Sequence, residues 1–162
     1  MIVKRKKTLV KITVLLILSK IFYISNNKYR ICFYKELSLK LREVKEILDA
    51  DVIVGQEKLD MEVKTAFGAD MMSDVLAFAK AGSLLLTGLT NTQVIRIANV
   101  LDIAAIILVR GKKPQTEALA LAKELQIPIL ITKYILFETA GRLYVKGIVG
   151  CLEQVEDHSA HN

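Results

Sequence analysis

Three consecutive stretches of this chain repeat one pattern, and that repeat constrains the fold more than anything else in the sequence. They are "SLLLTGLTNTQVIRIANVLDI" (83–103), "AAIILVRGKKPQTEALALAKELQI" (104–127) and "PILITKYILFETAGRLYVKGIV" (128–149). Each reads as a short apolar strand, a polar turn and an amphipathic helix. The strand centres fall near Leu85, Ile107 and Leu130, about 22–23 residues apart. Strands that are apolar throughout, without alternation, are those covered on both faces. Helices between such strands make right-handed crossovers the natural connection. The expected fold is therefore α/β: a three-layer α/β/α sandwich with a mainly parallel sheet built from strand–helix repeats.

Helix signals agree with the units. Val94, Ile95, Ala98 and Leu101 share one face of the first helix, and Ala118, Leu119, Ala122 and Leu125 one face of the second. Pro114 suits the first turn of the second helix. Gly141 inside the third helix is costly unless the sheet or a second subunit packs closely there. Upstream, "LREVKEILDA" is an amphipathic helix with Leu41, Val44, Ile47 and Leu48 on one side. "DVIVG" reads as a short buried strand ended by Gly55. "QEKLDMEVKTAFGAD" reads as a loop entering a strand around 62–67, and "MSDVLAFAKAG" as a short helix capped by Ser73 and stopped by Gly82.

The net charge of +6 suggests nucleic acid until it is located. Residues 1–40 carry ten Lys or Arg against one acid, Glu36, a net +9; the remaining 13 basic and 16 acidic residues give the body −3. A mildly acidic body argues against a nucleic-acid partner. Three readings of residues 1–40 stay open: a membrane anchor over 8–25, interrupted by Lys11 and Lys20; a secretory signal without a convincing cleavage site; or an extraneous stretch from a gene start placed too far upstream. The expected division is 1–40 as a basic apolar extension, 41–150 as the α/β domain and 151–162 as a polar tail. Cys32 and Cys151 lie far apart, and His158 and His161 sit in the tail. A disulfide framework and a Cys/His zinc site are not expected, and a reducing cytoplasm is the default.

Within the body, "AFGADMMSDVLAFAKAGSLLLTGLTNTQVIRIA", "VRGKKPQTEALALAKELQIPILIT" and "KYILFETAGRL" together resemble the DRTGG domain family over about residues 41–148. The Asp-Arg-Thr-Gly-Gly signature itself is absent. The two turns read Thr87-Gly88-Leu89-Thr90-Asn91 and Arg110-Gly111-Lys112-Lys113-Pro114, so the resemblance is to a divergent, stand-alone member. It implies a fold similar to the N-terminal, non-catalytic domain of HPr kinase. Such domains accompany nucleotide-sensing CBS modules and certain phosphotransacetylases. The role implied is regulatory, ligand-binding or dimer-forming.

Ligands of parallel α/β sheets bind outside the carboxyl ends of the strands. Thr87, Gly88, Thr90, Asn91, Arg110, Gly111, Lys112, Lys113, Thr132, Lys133 and Tyr134 occupy three such ends. Gly88 and Gly111 expose backbone N–H groups, Thr90 or Asn91 caps a helix, and Arg110, Lys112 and Lys113 supply charge for phosphate or carboxylate. Tyr134 offers a ring for stacking on a base. The plainer alternative is that these are ordinary turns and caps. Asp70 and Asp74 are spaced like a metal pair, but are better read as helix-start residues, with Asp70 or Ser73 as the cap. Glu138 and Arg142 form an i,i+4 helix pair.

No GxxxxGK[ST] or GxGxxG motif is present, and no nucleophile–base pair lies in the body. The expectation is a non-catalytic regulatory or sensory module that binds a small anionic ligand such as a nucleotide, a protein partner, or both, as a homodimer. No cofactor and no metal are expected. The alternatives are an interaction scaffold without a small ligand and, less favoured, a phosphotransfer-related enzyme.

Overall fold

Apolar runs and amphipathic stretches resolve into eight strands and five helices among the described residues. The structure, a computed structural model, describes residues 38–152. In chain order the elements are β1 (Leu39–Lys40), α1 (Leu41–Ile47), β2 (Asp51–Val54), a 3-10 turn (Gln56–Lys58), β3 (Glu62–Val63), β4 (Thr65–Gly68), α2 (Met72–Phe78) and β5 (Leu84–Thr87). They continue with α3 (Thr92–Val100), β6 (Ala105–Leu108), α4 (Thr116–Glu124), β7 (Ile129–Ile131), α5 (Leu136–Tyr144) and β8 (Val149–Gly150). The expectations for residues 1–37 and 153–162, including an anchor over 8–25, lie outside the described residues. Among the described residues no helix is long and apolar enough to cross a membrane.

Six strands form one sheet in the order β2-β7-β6-β5-β4-β8. All neighbours are parallel except β2, which runs antiparallel to β7. The three repeats are β5–α3, β6–α4 and β7–α5, and the first two step across the sheet in register, with Leu85 beside Ile106 and Ile107 beside Leu130. Successive side chains point to opposite faces. Leu85, Ile106, Leu108 and Ile129 pack with α2, α3 and α4, whereas Leu84, Leu86, Ala105, Ile107 and Leu130 pack with α1 and α5. The three layers follow, because every residue of β5 and β6 is buried. Each such Leu or Ile contributes roughly 1.5–3 kcal/mol on burial.

Some local expectations are corrected. "DVIV" is not a buried strand: β2 is an edge strand, with Asp51 and Ile53 exposed and a register shift between Val52 and Val54. The segment around 62–67 divides in two, because Glu62–Val63 pairs with β1 while Thr65–Gly68 joins the main sheet. Ser73 does not cap α2; Met71 holds the cap position without a side-chain bond, and the helix ends at Phe78, ahead of Gly82. Pro114 stands before α4 rather than in its first turn, because the N–H of the cap residue Gln115 donates to Thr90 O and keeps the chain extended there. At Gly141 an added Cβ would meet neither the sheet nor another described element within 4 Å.

The helix exits repeat a feature that the apolar pattern does not reveal. After α1, α3 and α4 the chain passes through a left-handed residue, Asp49 (φ 44°), Asp102 (φ 52°) or Gln126 (φ 54°). The next residue, Ala50, Ile103 or Ile127, sends its N–H back to a carbonyl five positions earlier and is buried. This is the Schellman geometry. After α5 the same position is Gly147 (φ 104°), followed by buried Ile148. Each turn aims the chain into the strand that follows. A left-handed conformation costs a non-glycine residue roughly 1–2 kcal/mol, part of which glycine forfeits as extra chain entropy. Gln126→Gly is therefore expected to raise unfolding stability by about 0.5–1 kcal/mol, and Gly147→Ala to lower it by about 1–2 kcal/mol. Urea denaturation of the full chain measures both.

Candidate functional site

The carboxyl ends of β4, β5, β6 and β7 lie side by side because these four strands are parallel neighbours. The turns leaving them are stitched together by backbone bonds. Ala69 N–H donates to Leu86 O (3.1 Å), Val109 N–H to Thr87 O (3.0 Å) and Gln115 N–H to Thr90 O (2.9 Å). Arg110 N–H donates to Tyr134 O and Gly111 N–H to Thr132 O, each at 2.8 Å. The result is a continuous rim of turns in which one loop holds the next.

At its centre stands Asp70, whose sequence position suggests only a helix cap or one half of a metal pair. Its Oδ1 accepts the Gly88 N–H at 2.6 Å and the Thr87 hydroxyl at 3.0 Å, and its Oδ2 accepts from Arg110 Nη2 at 3.1 Å. Thr87 Oγ1 in turn accepts the Leu89 N–H at 3.2 Å. The donors expected to meet an anion thus meet one supplied by the chain itself. Burial pushes the Asp70 pKa up, but the Gly88 N–H, the Thr87 hydroxyl and Arg110 together outweigh it and hold the pKa below its ordinary value of 3.8. The carboxylate is ionised at neutral pH. It is not sealed in: the Asp70 and Arg110 side chains are 43% and 41% exposed.

Glycine at position 88 leaves room for the Arg110 side chain. An added Cβ would meet the Arg110 guanidinium, the end of a flexible side chain, and would push it from its place beside Asp70. Arg110 itself has a left-handed backbone (φ 65°), as does Gly111 (φ 65°). The other left-handed non-glycine residues follow helix ends, whereas Arg110 sits in a strand-to-helix loop. That conformation is held by the bonds from Arg110 and Gly111 to Tyr134 and Thr132.

The remaining candidates divide. Thr87, Gly88 and Arg110 converge on one point. Lys112, Lys113 and Lys133 are exposed at the rim. Asn91 accepts the Val94 N–H at 3.4 Å and caps α3. Thr132 is buried; its hydroxyl donates to Leu48 O at 2.7 Å and accepts the Tyr134 N–H at 3.3 Å. Tyr134 already carries the Arg142 guanidinium 3.9 Å above its ring centroid, so one face of the ring is taken. Arg142 also pairs with Glu138 at 2.8 Å. Among the described residues no group of three or more His, Cys, Asp or Glu is placed to hold a metal ion.

Chemically, the arrangement is an anion seat: a backbone N–H, a hydroxyl and a guanidinium converge at the strand ends of a parallel α/β domain. The sequence profile of the DRTGG domain matches residues 43–144. The chain belongs to the DRTGG domain family. Among solved structures it is similar to the CBS and DRTGG domains of the regulatory region of a Clostridium perfringens pyrophosphatase, determined in complex with its activator, diadenosine tetraphosphate. The two share 21% identity at a TM-score of 0.56, over 74% of this chain and 51% of that one. The chain therefore spans about half the length of that regulatory region. No curated relative matches at the level of sequence.

A carboxylate whose folded pKa is depressed contributes stability that is fully present above its unfolded pKa and is lost as pH falls through the folded value. For Asp70 the loss begins near pH ~4 and continues below it. Asp70→Asn is expected to lower stability at neutral pH by no more than about 1 kcal/mol, given the exposure of the pair. It is also expected to flatten the acid limb of the stability curve. Denaturant midpoints measured from pH 3 to 7 check both.

Proposed function

We propose that this chain is a non-catalytic regulatory module that senses a small phosphate-bearing ligand, a nucleotide by preference, at the rim formed by Thr87–Asn91, Arg110–Lys113 and Thr132–Tyr134. The observation that carries this reading is the convergence of Gly88 N–H, the Thr87 hydroxyl and the Arg110 guanidinium on one anion position at the strand ends. Exposed Lys112, Lys113 and Lys133 add positive charge around it. The family gives the reading its regulatory sense, and the solved relative carries a dinucleoside polyphosphate activator. Its mechanism is differential binding, with the ligand favouring one arrangement of the domain or its partner over another.

The module acts as a homodimer. In support, α5 and the residues flanking it present Phe137, Val145 and Ile135, 83%, 71% and 59% exposed, alongside Gly141 with open space above it. Phe137, Gly141, Tyr144 and Val145 recur at helical spacing on one stripe. Sedimentation velocity of wild type and Phe137→Glu tests this; a wild-type monomer contradicts it. If the chain pairs but no small molecule binds, the scaffold reading takes precedence.

Thermal unfolding of the full chain with adenine and guanine nucleotides and with acetyl phosphate tests the sensor reading. A ligand that binds only the folded state raises stability by RT ln(1 + [L]/Kd), roughly 2.7 kcal/mol at a hundredfold excess over Kd. The expected outcome is a saturable rise with at least one nucleotide, abolished by Arg110→Ala. No shift with any compound at millimolar concentration would contradict the reading.

A further inference from the structure

We infer that Asp70 is an autoinhibitory stand-in for the ligand's phosphoryl group, displaced when that group binds; this rests on the rim reading above. The donor set explains why. Gly88 N–H, the Thr87 hydroxyl and Arg110 are the groups a phosphoryl oxygen would use, and all three are engaged by the two oxygens of Asp70. An incoming anion cannot share the seat, because the carboxylate is ionised and like charges at this separation repel. It must either replace Asp70 or find it already gone.

The geometry also makes the contact reversible. Asp70 belongs to the turn between β4 and α2, whereas its partners belong to the β5–α3 and β6–α4 loops. Both members of the ion pair are partly exposed, so the pair opens into solvent rather than into the core. Backbone bonds from Arg110 and Gly111 to the β7–α5 loop hold the arginine's loop in place without Asp70, so the cationic half of the seat stays when the carboxylate leaves. The acidic half is tied to β5 by one backbone bond, from Ala69 N–H to Leu86 O, and the helix that follows it is short. The α2 helix is seven residues long, has no side-chain cap, and exposes Met71 (62%) at its start and Leu76 (52%). Its first turn rests on the Asp74 and Val75 N–H bonds to Met71 O, immediately after Asp70. Release of Asp70 therefore loosens the start of α2, and phosphoryl binding at the strand ends becomes a change at a separate, partly apolar surface.

An occupied seat lowers apparent affinity by the fraction of time it is open; a seat closed nine-tenths of the time weakens binding about tenfold. Calorimetric titration of the full chain with inorganic pyrophosphate, with adenosine as the phosphate-free arm, measures this. Asp70→Ala is expected to bind pyrophosphate about tenfold more tightly than wild type or better. Asp70→Asn, which keeps the shape and the acceptor but not the charge, is expected to fall between them. Adenosine should show no such ordering. In the same wild-type samples, pyrophosphate should speed hydrogen exchange at the Asp74 and Val75 amides. If both Asp70 variants bind pyrophosphate no better than wild type while Arg110→Ala loses it, Asp70 is a structural anchor; the inference fails and the rim reading stands. If pyrophosphate binds neither wild type nor the Asp70 variants, both fail together.

Discussion

The structure depends on a parallel sheet whose central strands are covered on both faces. β5 and β6 present no polar face to water, so α2, α3 and α4 must cover one side and α1 and α5 the other. Parallel neighbours then force every strand-to-helix turn from β4 to β7 to the same edge. The rim is a consequence of that constraint. It is why Asp70, 40 residues before Arg110 in sequence, comes within 3.1 Å of its guanidinium.

How much of this the sequence carries varies with distance along the chain. The apolar runs at 84–87, 105–108 and 129–131 are legible because burial on both faces removes alternation. The Asn91 cap is legible because capping is a contact over three residues. Pro114 misleads, because a bond between loops, from Gln115 to Thr90, outweighs the local preference of proline for a first helical turn. The edge position of β2 is invisible in "DVIV", because pairing with β7 is decided by the whole fold. The left-handed turns after α1, α3 and α4 are concealed by Asp and Gln standing where glycine is the usual signal.

The candidate site divides in the same way. Thr87, Gly88 and Arg110 are findable from the rule that ligands sit at strand ends, and the structure brings them together. Asp70 is visible in the sequence as a carboxylate but not as their partner. A pairing with Gly88, Thr87 and Arg110 needs the register of β4 against β5, with Gly68 beside Leu86. One signal for it does lie in the sequence: Gly68 and Asp70 stand just beyond an expected strand end, where Thr87 and Gly88 stand in the next unit. The Arg142–Tyr134 stack is a second case, since it joins a helix face to the loop that precedes it. It occupies one face of the ring expected to stack on a base.

In the proposed function, the seat at Gly88, Thr87 and Arg110 receives a phosphoryl group from outside the chain. The most direct test is a two-dimensional amide NMR titration of the full chain with ADP, following each backbone N–H. The largest saturable shifts are expected on Gly88, Leu89, Arg110 and Gly111, with the Gly88 resonance moving as its partner changes from carboxylate to phosphate. Unmoved resonances at saturating ADP, or shifts clustered away from the strand ends, would contradict it.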